Sequence, residues 1–136
     1  MKRFEVLDHT ADIGGRIYGK SLSELFVNAA HLLCFIAGAV QQGDEEKVVR
    51  IKLSGETVEE LLVKFLNELI YHMYVKKVGG EIEKLSIQKK RGMFDLQCDV
   101  IGKGISVKRE IKAATYHNLQ VKEEKGLFSS EIIFDV

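Results

Sequence analysis

FDLQCDVIGKGISVKREIKA, residues 94–113, is the stretch that decides the fold. Phe94, Leu96, Cys98 and Val100 alternate with Asp95, Gln97 and Asp99, a period of two that gives a strand one apolar and one polar face. Gly102-Lys103-Gly104 reads as a hairpin turn. Beyond it, Ile105, Val107, Arg109, Ile111 and Ala113 share one face of a further strand, and Ser106, Lys108, Glu110, Lys112 and Ala114 share the other. Toward the C-terminus, Leu119 to Glu123 and Leu127 to Phe134 make a last hairpin around Lys125-Gly126. On the N-terminal side Ile82, Leu85 and Ile87 belong to a strand that turns at Arg91-Gly92. Val49, Ile51 and Leu53, alternating with Arg50 and Lys52, mark another strand, preceded by a polar connection from Gln41 to Glu46. Arg3 to Leu7 and Gly14 to Gly19 read as two short strands at the start.

Two helices interrupt the strands. Ser21 with Glu24, and Thr57 with Glu60, are capping-box pairs that satisfy backbone donors at a helix start. Leu22, Leu25, Phe26, Ala29, Leu32, Leu33 and Ile36 follow the first at helical spacing, with Gly38 as the stop. Val58, Leu61, Leu62, Phe65, Leu66, Leu69, Ile70 and Met73 follow the second, which ends near Val75-Lys76-Lys77 with cations suited to a helix C-terminus. The order predicts an α+β fold. It is read as one domain over residues 1–136, a two-layer sandwich with two amphipathic helices on a mixed, mostly antiparallel β-sheet.

Twenty basic residues balance twenty acidic ones, so no net field draws nucleic acid or an anionic membrane. Cys34 and Cys98 lie far apart in apolar patterns, as buried free thiols do in a reducing cytoplasm. Met1-Lys2-Arg3-Phe4-Glu5 meets an acid at once and opens no secretory signal, and no apolar run is long enough to span a bilayer. There is no GxSxG serine, no phosphate-binding glycine loop and no Cys–His nucleophile spacing. The expectation is a cytoplasmic non-enzyme.

The chemistry concentrates at the two ends. Asp8, His9 and Asp12 bracket a tight polar connection in LDHTADIG, residues 7–14, and Asp135 closes the apolar run Ile132-Ile133-Phe134 one residue before Val136. Taken singly, loop aspartates are ordinary turn formers and an Asp near a chain end is ordinarily solvated. Brought together, these carboxylates, with the terminal one at Val136, would need a cation or protons to offset their repulsion. Lys112 lies in IKAATYH, residues 111–117, with Tyr116 and His117 as neighbours; a strand lysine is usually a solvated one. Glu68, at the edge of the second helix's apolar face, is either a boundary residue or a further carboxylate for the same site. His31 and His72 read as structural.

These blocks, LDHTADIG, YGKSLSELFVNAA, LLVKFLNELIY, REIKAATYHNLQV and the closing IFDV, resemble the archease family in their order and over nearly the whole chain. Gly15 and Phe65 depart from the residues more usual in the family and touch none of the proposed ligands. The resemblance implies a protein cofactor of RtcB-type RNA-splicing ligases that promotes ligase guanylylation and multiple turnover in tRNA splicing and RNA repair. It also implies an acidic metal site, which falls here on Asp8, Asp12 and Asp135. A functional lysine falls on Lys112. Oxygen ligands suit a divalent cation, calcium ahead of magnesium. Two other functions stand beside this one. A chaperone-like role toward a tRNA methyltransferase is also linked to the family. A metal-dependent phosphohydrolase is the third, but its two-metal chemistry normally asks for more ligands than this chain offers.

Overall fold

The computed structural model describes residues 2–8, 12–116 and 118–136, with Asp8 described in its backbone alone. Strands β1 (Phe4–Asp8) and β2 (Asp12–Gly19) are followed by α1 (Leu22–Ala37), β3 (Val40–Gly55) and α2 (Val58–Tyr74). Then come β4 (Val78–Lys90), β5 (Met93–Ser106), the two-residue β6 (Ala113–Ala114), β7 (Val121–Glu124) and β8 (Leu127–Asp135). The architecture is α+β, as the sequence predicts, with every described strand pairing antiparallel.

Both helix starts form as their capping boxes predict. Ser21 Oγ accepts the Glu24 N–H at 3.1 Å, and Thr57 Oγ1 accepts the Glu60 N–H at 3.0 Å. The Glu60 carboxylate reaches back to the Glu56 N–H at 2.8 Å; that bond and its salt bridge to Lys64 hold it below the usual carboxylate range. Gly38 ends α1 at φ 63°, the left-handed conformation that a Cβ disfavours.

The strands divide into two sheets. The first runs β1-β2-β8-β6, with β7 also on β8; the second runs β3-β5-β4. Helix α1 packs mainly on β2, and also on β4 and β1; α2 packs on β3, β4, β5 and β6, and the helices touch each other. One apolar cluster joins them, with Ile17, Phe26, Leu32, Phe65, Leu66, Ile132 and Phe134 fully buried.

Two sequence expectations are corrected. Gly102-Lys103-Gly104 is not a turn: β5 runs straight through it to Ser106, residues 107–112 are irregular, and the expected long strand shrinks to β6. The glycines serve a close approach instead. Gly80 is paired with Gly102, and a Cβ on Gly102 would collide with the Gly79 carbonyl oxygen. The polar connection at Gln41 to Glu46 belongs to β3, which pairs with β5 on both sides of a register shift between Gln42 and Lys47. Exposed on both faces, it carries no hydrophobic period to betray a strand.

Candidate functional site

Register builds the site. Strand β2 enters the first sheet at Asp12 and β8 leaves it at Asp135, and the two are direct cross-strand partners. The next pair inward, Ile13 and Phe134, is buried and anchors the ladder in the core. Alternation along the strands then puts Asp12 and Asp135 on the opposite, outer face, in line with the Arg16–Glu131 pair further along. On the far side of β8, Ala113 pairs with Asp135, and the Lys112 N–H donates to the Asp135 carbonyl at 2.9 Å. Asp8 pairs with Ile13 on the other flank. The backbones of Asp8, Asp12, Lys112, Asp135 and Val136 therefore meet at one end of one sheet.

Among the described residues, no ion pair offsets the acids at this end. Like charges directly opposite on a sheet destabilise it. Asp12 Oδ1 is buried and accepts no hydrogen bond; the other such buried side-chain atom among the described residues is His72 Nδ1. Asp135, Val136 and Lys112 are exposed, and the Lys112 ammonium makes no ion pair among the described residues. Also among the described residues, no group of three or more His, Cys, Asp or Glu side chains is close enough to hold a metal ion. The Asp8 carboxylate, His9 and His117 lie outside the described residues.

The remaining sequence candidates go elsewhere or to the rim. Glu68 accepts from His72 Nε2 at 3.2 Å, one helical turn on, and no described contact joins it to the sheet end. Tyr116 is 49% exposed, two residues past β6. Sequence reasoning missed Asn67, whose side-chain amide bonds both backbone groups of Ala114 beside Lys112. Its only signal was a polar residue inside the apolar run of α2.

Fold and site together define a small α+β protein of two helices and antiparallel sheets whose Asp12 and Asp135 meet at one sheet end. The comparisons agree. Residues 4–136 match the model of the archease protein family. The chain is 32% identical to protein archease of Pyrococcus furiosus over 143 aligned residues, covering 100% of both, and 30% identical to that of Thermoplasma acidophilum, covering 98% and 93%. Among solved structures it is similar to Methanobacterium thermoautotrophicum protein 1598 (TM-score 0.77, 31% identity, 100% of both chains). It is also similar to a Thermotoga maritima archease described as a possible chaperone (TM-score 0.62, 28% identity, 96% and 94%). The chain belongs to the archease family.

Proposed function

We propose that this protein activates an RtcB-type RNA-splicing ligase, promoting its guanylylation and multiple turnover, and that the sheet end carrying Asp12, Asp135 and Lys112 does so. The observation that carries this reading is the β2–β8–β6 register. It brings together three residues that the family resemblance singles out from opposite ends of the chain.

A divalent cation, calcium ahead of magnesium, fits the donors present. They are hard oxygens, and one of them, Asp12 Oδ1, is buried with no donor of its own. Asp8, Asp12, Asp135 and the terminal carboxylate at Val136 would hold it. When bound, such an ion supplies a fixed positive charge. The chain's own residues do the rest: β2 and β8 fix the Asp12 and Asp135 backbones, and Lys112 presents an exposed ammonium from the adjoining edge. In this reading the protein is a cofactor for another protein's chemistry. The protein partner is the ligase, met in the cytoplasm. Neither a membrane nor sequence-specific contact with nucleic acid enters this reading.

The test is a guanylylation assay of a cognate ligase with increasing amounts of this protein. Stimulation is expected, and it should disappear in a folded Asp12→Ala, Asp135→Ala double variant. Full stimulation by that variant would sink the role given to the sheet end. No stimulation by the wild type would move the reading to a chaperone-like modulator of a tRNA methyltransferase, the alternative favoured by the "possible chaperone" description of the Thermotoga maritima relative.

A further inference from the structure

We propose that Asn67 is the positioning residue for Lys112: its amide clamps the outer edge of β6 to α2 and so fixes where Lys112 stands beside Asp135. The proposal rests on the reading of Lys112 as part of the activating sheet end.

Strand β6 is only two residues long and has β8 on one side, where the Lys112 and Thr115 N–H groups donate to the Asp135 and Ile133 carbonyls at 2.9 Å each. Two residues make a poor strand on their own. On the other side stands a helix, which offers no backbone ladder. Asn67 supplies the missing partner. Its Oδ1 accepts the Ala114 N–H at 2.8 Å and its Nδ2 donates to the Ala114 carbonyl at 3.4 Å. A side-chain amide carries one donor group and one acceptor, as a peptide does, so a single Asn replaces a neighbouring strand at that residue.

The anchor is firm because Phe65, Leu66 and Leu69 on either side of Asn67 are buried in the core. Ala114 is 5% exposed, so its polar groups would be buried without partners if the amide were removed. The Lys112 side chain is exposed and makes no ion pair among the described residues, which leaves its backbone to set its place. Neighbouring chemistries do not substitute. Asp keeps the acceptor and loses the donor, Leu loses both, and Gln sets the amide one methylene further out.

Amide hydrogen exchange and ligase stimulation, both measured on the full chain, test this with Asn67→Ala and Asn67→Asp. In Asn67→Ala, protection at the Ala114 amide should fall about tenfold more than at Leu66, the reference within α2. Asn67→Asp, which keeps the acceptor, should lose less. Maximal stimulation should drop about tenfold in Asn67→Ala, as expected when a functional group is misplaced by an ångström or so. The concentration for half-maximal stimulation should hold, because the rest of the surface is intact. Unchanged protection at Ala114 overturns the clamp. Lost protection with full stimulation reduces Asn67 to a structural residue and overturns the positioning role. If the wild type stimulates no ligase, the activator reading fails by itself. Exchange at Ala114 and the NMR order parameter of Lys112, expected to fall in Asn67→Ala, then decide the clamp. Should Asn67→Ala fail to fold, Asn67→Asp carries the same readouts at smaller amplitude, and wild-type behaviour in all of them overturns the proposal.

Discussion

On β5, Asp95 accepts the Ser54 hydroxyl at 2.6 Å and Asp99 faces Arg50 Nε at 3.2 Å, whereas at the end of the first sheet Asp12 stands opposite Asp135 in register, acid across from acid. Both acids of β5 thus have a cross-strand donor, and so does Glu131, which pairs with Arg16 in the first sheet. An acid that finds its donor within the sheet belongs to the fold. An acid set against another acid, with a buried oxygen left unbonded, asks for something from outside the chain. The same residue type on the same kind of strand thus does structural work in one sheet and, in the proposed function, forms the binding end of the other.

Four experiments would break or sharpen that contrast. The largest effect is expected for Phe134→Ala, which removes a fully buried ring from the ladder directly beneath Asp135. It should cost about 3–5 kcal/mol in denaturant unfolding and loosen the sheet end with the core. Calcium should come next. At a hundred times its Kd an ion bound only by the native state adds about 2.7 kcal/mol. Thermal melts should therefore rise with calcium in the wild type and not in the Asp12→Ala, Asp135→Ala double variant. The third experiment compares two isosteric changes made in EDTA. Asp99→Asn should destabilise by about 1 kcal/mol, the usual size of a partly exposed charge-assisted bond. Asp135→Asn should stabilise by about 0.2–1 kcal/mol through relief of like-charge repulsion. Equal signs for the two would erase the distinction between the sheets.

The smallest effect is alkaline. Burial, and then the charge of Asp99, pushes the Cys98 thiol up from its ordinary 9.0 to about 11; burial, and then Glu81, does the same for Cys34. Between those values the unfolded chain has released thiol protons that the folded chain still holds. Stability should therefore fall as pH rises from about 9 to about 11, with no thiol contribution below that window. Cys98→Ala should flatten the slope of melting temperature against pH while leaving the calcium response intact.

The parts of this fold that were legible in the sequence are those decided by neighbours in the chain. Ser21 with Glu24 and Thr57 with Glu60 announced both helix starts because a cap and its donor lie three residues apart. Gly102-Lys103-Gly104 misled because glycine has two uses, turning a chain and letting two strands meet closely, and only the facing Gly79 and Gly80 show which applies. Residues 40–47 of β3 were illegible because a strand exposed on both faces has no period. The acids of the sheet end were each visible, but their opposition depends on a register set by Ile13 on Phe134. Asn67 showed only as a polar residue in the apolar run of α2, because its role is defined by Ala114, which lies 47 positions further along the chain.

The Asp12–Asp135 pairing also has a temporal meaning. The two residues stand far apart in the sequence, and β8, which carries Asp135, is synthesised after both helices and the whole second sheet. Closing so long a loop carries the largest closure entropy of any strand pairing described. A partner that recognised this pair would therefore recognise only folded molecules: a chain without β8, or with β2 and β8 out of register, has no such pair.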